Sequence, residues 1–499
     1  MTTATAPEAA LAAGQAVELH LEVPQGQVIA YDLPKLCSAL DIADPSRIAV
    51  ETDGSRRAIV TIYPSNPLAE VRAVTREDLV MDRHGRITVG RYHNGRPVKR
   101  RLYDPASGSA QRFLIFGTTG AGKSRVLQME LAAEKINGIV SWLADLKHGQ
   151  SVPEAEGNGD WFGRTMEEAV LMLRAAVAVA QERMARYSRM GRTAFVLGRP
   201  DPLLHVRIEE ANRLLEKGSP YRDTATYLIR ELGRTGRSVG VGVGLSAQAS
   251  HLEELGGSDT LRAMLKEGEV TLLRWSSSMM RQLVSDGLLP AGAQLAPIPK
   301  TLKPITLTSQ FDADSDDDDD APGTQGTGYV LSGPRPTAMM RHWRIGSIAP
   351  LPGLDPEILA LYGDDEPAHL ETASHGAAGD AYAARPDLHA LAELCAAVHA
   401  EHAPAAPIAP IPTGVDGASA GAATAPRSRL LEDRVLDALR AAESPLTADD
   451  VLAAVLADGG KEVRLGSVRN ALGALADGGR YAVRAGHGRY AATQDPASD

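Results

Sequence analysis

At 499 residues the chain is too long for one domain, and its 43% apolar content is ordinary for a globular protein, so a core can form. Aromatics are only 4%, with heavy use of Ala, Gly and Pro, a composition that suits helices and connectors better than an all-β fold. The net charge of −11 disfavours nucleic acid as a partner for the chain as a whole, two distant cysteines exclude a disulfide framework and fit a reducing cytosol, and no run reaches the roughly 20 apolar residues of a membrane span.

The N-terminal stretch "MTTATAPEAALAAGQ" has no basic region followed by an apolar core, so residues 1–15 are expected to be a disordered tail, not a secretory signal. Residues 16–111 mix strand-like runs ("AVELHLEV", "RRAIVTIY") with a short helical one ("LPKLCSALDI"). Turn signals at "DRHGR" and "YHNGRP" then predict hairpins. This is read as a small α+β domain with a lead-in. From Arg112 to about residue 350 apolar strand-like runs alternate with helical ones, which predicts a mostly parallel sheet with helices on both faces. In the long helix Met166, Val170, Leu173, Val177, Ala180, Met184 and Tyr187 recur every three or four residues, giving one buried stripe. Seven aspartates between Asp312 and Asp320 repel one another and mark residues 312–326 as a solvated acidic loop. Residues 351–428, rich in Ala, Pro, Gly and Ser, read as a flexible linker, with "LHALAELCAAVHA" as an isolated helix inside it.

"FLIFGTTGAGKSRVLQ" contains the phosphate-binding pattern G-x-x-x-x-G-K-S between a strand and a helix. Gly117, Thr118, Thr119, Gly120, Ala121 and Gly122 would wrap ATP phosphates with backbone N–H groups. Lys123 would reach the β and γ oxygens, and the Ser124 hydroxyl would hold Mg²⁺. Such a loop needs acids. "PLLHVRIEEANRLLE" supplies them at the end of a strand, Glu209 for the metal and Glu210 for the attacking water. His205 and Arg207 make that strand unusually polar for a buried parallel strand.

In order and spacing these pieces resemble the FtsK/SpoIIIE-type DNA translocases, and among them the TraB-like plasmid-transfer proteins of actinobacteria. The resemblance runs from about Ala16 to Gly346 through "ITVGRYHNGRPVKRRLYD", "GTTGAGKS", "WLADLKHGQSVPEAEG", "RIEEANRLL", "RELGRTGRSVGVGVGLSAQ" and "ELGGSDTLRAMLKEGEVTLLRW". Departures are His148 for a usual Gly, Glu209 for a usual Asp, the aspartate insertion, and the missing membrane spans of many members. The resemblance implies an α/β fold with a RecA-like P-loop motor and a homo-hexameric ring. It makes Gln248 a sensor of the γ-phosphate and requires an arginine from a neighbouring subunit: Arg262, Arg237 or Arg274. The cysteine usage and the lack of an apolar span or secretory signal give the expectation of a cytoplasmic protein, with any membrane association through a partner protein.

Residues 429–493 read as three helices and a hairpin, the pattern of a winged helix. Residues 430–460 carry seven acids and two bases, residues 461–493 six bases and two acids, so positive charge collects on the third helix and the wing. Arg464, Ser467, Arg469, Asn470, Arg480, Arg484 and Arg489 are the expected DNA contacts. The combined reading is an ATP-driven translocase of double-stranded DNA in conjugative plasmid or integrative-element transfer. Chromosome segregation, a DNA-binding regulator with a nucleotide-controlled assembly switch, and protein secretion are the alternatives.

Overall fold

The computed structural model describes residues 10–248, 255–274, 289, 295–301, 323–349, 351–403, 431–442, 444–457, 463–476, 482–486 and 489–493. The acidic stretch 312–322, residues 404–428 of the expected linker and most of the expected N-terminal tail lie outside them. The chain divides into two compact units, residues 1–406 and 407–499.

The first unit opens with β1 (Val17–Glu22), α1 (Leu33–Ala39), β2 (Ile48–Thr52) and β3 (Arg57–Ile62). The strands form an antiparallel sheet of order β1-β3-β2, closed over its own core of Cys37, Ile48, Val50, Val60 and Ile62. Asp32 caps α1 by accepting from the Lys35 N–H, with Pro34 in the first turn where its missing N–H costs nothing.

There follow β4 (Arg86–Tyr92), β5 (Pro97–Arg101), the short pair β6 (Tyr103–Asp104) and β7 (Ser109–Ala110), β8 (Arg112–Gly117), α2 (Lys123–Ile136), β9 (Val140–Asp145), β10 (Trp161–Gly163) and α3 (Met166–Arg189). Next come β11 (Leu204–Glu209), α4 (Asn212–Leu215), α5 (Arg222–Thr235), β12 (Val241–Ala247), α6 (Asp259–Lys266), β13 (Glu269–Leu273), β14 (Thr327–Val330) and β15 (Met340–His342). One ten-stranded sheet of order β10-β9-β11-β12-β8-β13-β14-β15-β4-β5 takes up all but β6 and β7. From β10 to β13 its neighbours are parallel, and from β13 to β5 antiparallel. The strand order jumps at β8, so the loop after β8 opens where flanking connections diverge, the usual place for a ligand in such sheets.

Two expected boundaries move. The hairpin β4–β5 belongs to this sheet through the pairing of β4 with β15, so a domain break at residue 111 falls inside one sheet. The expected linker also starts too early. Residues 356–402 form α7 (Pro356–Tyr362), α8 (Thr372–Ala384) and α9 (Leu388–His402), whose Ile358, Tyr362, Tyr382, Leu391 and Val398 join the main core. Alanine-rich composition cannot separate a linker from a helix, because alanine is also the best helix former. Buried Asp160 fixes the arrangement. It accepts from Trp142 Nε1 at 2.8 Å and from the Tyr382 hydroxyl at 2.7 Å, and pairs with Arg385 at 3.0 Å. Buried Arg183 of α3 reaches Glu371 at 2.9 Å.

α3 is capped by a reciprocal Thr165–Glu168 box. Its expected stripe is buried at Val170, Leu173, Ala180 and Tyr187 and partly buried at Met166, Val177 and Met184. Ala169, Met172, Ala176 and Val179 are buried as well, since α8 and α9 cover a second side of the same helix. Among the described residues no helix is long and apolar enough to cross a membrane.

In the second unit, α10 (Leu431–Ala441), β16 (Leu446–Thr447), α11 (Ala448–Ala457), α12 (Leu465–Ala476), β17 (Ala482–Gly486) and β18 (Arg489–Ala492) form three helices and a sheet of order β16-β18-β17. Val435, Leu439, Val451, Val455, Val468 and Leu472 fill its core.

Candidate functional site

Strand β8 is buried along its whole length and delivers the chain to Gly117. A Cβ there would lie 2.9 Å from both Cβ and the carbonyl oxygen of Leu273, so the strand end is closed to any side chain. Gly120 and Gly122 take left-handed φ values of 74° and 100°. The loop is braced from the residue before β14: Gly326 N–H donates to the Ala121 carbonyl at 2.9 Å, and a Cβ on Gly122 would meet that same nitrogen at 3.1 Å. Gly122→Ala therefore forces an unfavourable φ and displaces the brace. Its expected effect is about tenfold weaker nucleotide binding with the thermal unfolding profile retained, read by titration with a fluorescent ATP analogue.

Lys123, the first residue of α2, turns back over the loop and donates from Nζ to the Gly117 carbonyl at 2.9 Å. Burial pushes its ammonium pKa down, while Glu210 and Glu209 oppose the shift. The α2 N-terminus presents unpaired backbone N–H groups to the same space, with Thr119 and Gly120 exposed at the tip.

Parallel pairing of β11 with β9 sets Glu209 opposite Asp145, and Glu210 follows at once. The three buried carboxylates have distinct surroundings. Asp145 accepts from the Lys147 N–H at 3.0 Å and the Ser151 N–H at 2.7 Å, one oxygen each, and so holds the next loop. Glu209 Oε1 accepts from the Ser124 hydroxyl at 2.6 Å, the longer side chain closing the distance an Asp would leave. Its Oε2 is buried without a hydrogen-bond partner. Burial raises the Glu209 pKa against the lowering effect of the Ser124 and Ser246 hydroxyls, and the neighbouring Asp145 and Glu210 add to the rise. Glu210 takes a left-handed φ of 54° and is 2% exposed. Lys147 Nζ is ion-paired with its Oε1, and Gln248 Nε2 lies 3.4 Å from both of its oxygens. Gln248 follows the last residue of β12, the strand between β11 and β8, which is why it meets Glu210 beside the loop.

Thus Lys123, Ser124, Glu209, Glu210 and Gln248 come together at one end of three adjacent strands. Ser124 and the unpartnered oxygen of Glu209 suit a hard divalent cation, which takes oxygen ligands. A cleft of about 480 Å³ continues from the loop, lined by Gly122, Arg125, Val126, Trp343, Ile345 and Ile348 among others.

The candidate arginines separate. Arg274 follows the last residue of β13 in a left-handed conformation and is buried on its own chain's loop, donating to Thr324 Oγ1 at 3.1 Å and to the Lys300 carbonyl at 3.3 Å. Its Nη1 lies 3.7 Å from where a Gly120 Cβ would be. An arginine so placed faces the glycine loop of its own chain. Arg237 is exposed at the opposite end of the strands, within electrostatic range of Asp104 and Arg112. The Arg262 backbone lies in α6, and its side chain is outside the described residues.

Sequence reading missed Lys147, which only the fold brings onto Glu210. It also left the polarity of β11 unexplained. His205 Nδ1 donates to Glu134 Oε1 at 2.8 Å, Arg207 Nε to the same oxygen at 2.8 Å, and Ser141 to Glu134 Oε2 at 2.5 Å. Arg207 also pairs with Glu130 at 3.2 Å and stacks 3.5 Å over the Phe113 ring, and Arg100 pairs with Glu130 at 2.5 Å. Glu130 and Glu134 stand one turn apart on α2. The polar strand is therefore the partner of the helix that begins at Lys123.

In the second unit Thr447 and Asp450 cap α11 reciprocally, the Thr447 N–H donating at 3.0 Å and the Asp450 N–H at 3.3 Å. Arg464, Ser467 and Arg469 are exposed at the start of α12, while Val468, Ala471 and Leu472 face the core. Arg489 is exposed and donates to the Pro445 carbonyl at 3.3 Å. Arg480 and the side chains of Asn470 and Arg484 are outside the described residues.

No protein-family model matches the chain, and no curated protein matches it in sequence. Solved structures do resemble it. The cytoplasmic domain of the Thermomonospora curvata type VII secretion ATPase EccC is 20% identical, with a TM-score of 0.40 over 61% of this chain and 34% of that one. The pCW3 conjugation coupling protein TcpA, in monomer form with ATPgS, is 18% identical, with a TM-score of 0.37 over 53% of this chain and 75% of that one. VirB4 of Thermoanaerobacter pseudethanolicus is 12% identical, with a TM-score of 0.29 over 42% of this chain and 90% of that one. The match with EccC spans 34% of that longer chain.

Proposed function

We propose that this chain is an ATP-hydrolysing motor that moves double-stranded DNA in conjugative plasmid or integrative-element transfer, as the TraB-like resemblance implies. The observation that carries the reading is the convergence of Lys123, Ser124, Glu209, Glu210 and Gln248 beside a glycine loop. In this reading Lys123 exchanges the Gly117 carbonyl for the β and γ oxygens of ATP. Ser124 and Glu209 hold Mg²⁺, which supplies charge neutralisation at the phosphates. Glu210 polarises the attacking water, and Gln248 reports the γ-phosphate to it. Trp343, Ile345 and Val126 line the space for the base. The motor works as a six-membered ring, with a neighbour's arginine completing each site. Arg274, committed to its own loop, is a poor candidate for that role.

The second unit is read as a winged helix whose α12 enters a DNA groove. Exposed Arg464, Ser467 and Arg469 on one helix, above a separate apolar core, support this. The test is ATP turnover with and without linear duplex, together with displacement of a protein roadblock from that duplex. Stimulation and displacement are expected in the wild type and neither in Glu210→Gln. Arg469→Glu is expected to weaken duplex binding and flatten its salt dependence by about one log–log unit, without changing turnover in the absence of DNA.

A second reading, a DNA-binding regulator with a nucleotide-controlled assembly switch, is favoured by one observation. Glu210 is ion-paired with Lys147, and a base so held turns over slowly. Its signature is nucleotide-dependent assembly without DNA-stimulated hydrolysis.

A further inference from the structure

Lys147 stands beside both Glu210 and Lys123. Its ammonium is on Glu210 Oε1, yet it also acts electrostatically on Lys123, the residue placed to meet the outer phosphates. Its backbone is fixed, because Asp145 accepts from its N–H at 3.0 Å and the chain turns directly after it through left-handed His148 and Gly149. Its side chain is 42% exposed, so a flexible four-carbon stem carries the charge from a fixed base. Glu210 cannot follow. It is 2% exposed, and its neighbours are locked by Ala211 N–H to the Ser246 carbonyl at 2.9 Å and by Arg213 N–H to its own carbonyl at 2.9 Å. A terminal phosphate, with more negative charge and more acceptor oxygens than one carboxylate, is the stronger partner for a lysine.

We infer that Lys147 is shared between Glu210 and the terminal phosphate of a bound nucleoside triphosphate: it holds the carboxylate until the triphosphate draws it away. The inference rests on the nucleotide reading of this site. Lys147 then discriminates triphosphate from diphosphate, and Glu210 is freed for water only when there is a bond to cleave. His148, in a backbone conformation that suits glycine, belongs to the turn that aims the lysine.

The test is equilibrium binding of ATPγS and of ADP by calorimetry, on the full chain, for the wild type, Lys147→Met, Glu210→Gln and the double variant. Lys147→Met is expected to weaken ATPγS by about three- to tenfold and leave ADP unchanged, with Lys147→Arg retaining most of the preference. Glu210→Gln removes the competitor and is expected to tighten ATPγS by a similar factor. That gain should vanish in the Lys147→Met background. Equal gains in both backgrounds would show simple repulsion between Glu210 and phosphate and would overturn the inference, as would equal losses for ATPγS and ADP in Lys147→Met. Failure of the wild type to bind either nucleotide would instead overturn the site reading beneath it.

Discussion

Glu210→Gln is expected to cut steady-state ATP hydrolysis by about 10²- to 10⁴-fold without weakening nucleotide binding, the range for loss of a positioned general base. The assignment follows from what the other carboxylates are doing. Both Asp145 oxygens are taken by backbone N–H groups of the loop it organises. Glu209 is on Ser124, the residue that would share the metal. Glu210 alone projects beside Gln248 and has only side-chain cations and amides for partners, which can exchange for water or phosphate. Glutamine keeps the shape and the Gln248 contact but cannot take a proton, so the loss should fall on kcat and not on nucleotide affinity. Turnover by coupled assay and binding by calorimetry separate the two. Asp145→Asn leaves one of the two backbone acceptors in place and is expected to reduce activity far less. If the two variants lost equal activity, the base would be misassigned.

How far the site could be read beforehand follows from what each signal encodes. The glycine loop is a local constraint: left-handed backbone at Gly120 and Gly122 and a closed strand end at Gly117 leave few residue choices, so spacing alone predicts the turn. The β8–α2 and β11–α4 alternation was legible for the same reason. Long-range pairing was not. Nothing in "YHNGRP" says that its hairpin adds to the main sheet through β15, more than 200 residues on. The helices at 356–402 were hidden by their alanines, and their anchors, Tyr362, Tyr382 and Glu371, are single residues whose partners lie far back in the chain. Lys147 looked like part of a loop because its role exists only once β9 and β11 lie side by side. The polarity of "LLHVRI" was a real signal left without a cause: buried charges on a strand require buried countercharges, and the pair Glu130 and Glu134 on the adjoining helix was available to be sought.

That buried network supports the second large effect. Arg207→Met is expected to destabilise the first unit by about 3–5 kcal/mol, the cost of leaving a buried charge without its partner. Glu134 would lose its guanidinium donor, and Glu130 would keep only Arg100. Methionine fills similar space over Phe113, so a cavity is not the main cause. Adding Glu134→Leu to Arg207→Met removes the orphaned charge and should recover part of the loss in denaturant unfolding, though the His205 Nδ1–H then lacks its acceptor. The pH dependence has a definite sign. Burial works to raise the Glu134 pKa, but Arg207, His205 and Ser141 outweigh it and hold the carboxyl at about 2, below the ordinary 4.5. A depressed carboxyl binds protons more readily in the unfolded chain, so its stabilisation is complete above about pH 4.5 and is lost as pH falls toward 2. Burial also lowers the His205 pKa, which adds a loss of the same sign on acidification. The wild type should therefore lose stability on acidification, and Arg207→Met should lose less across the same range, because without its cation Glu134 no longer has a depressed pKa to give up. Since this network ties α2 to β11, the two elements that carry Lys123 and Glu209, unfolding and loss of nucleotide binding should coincide in the variant's denaturant titration.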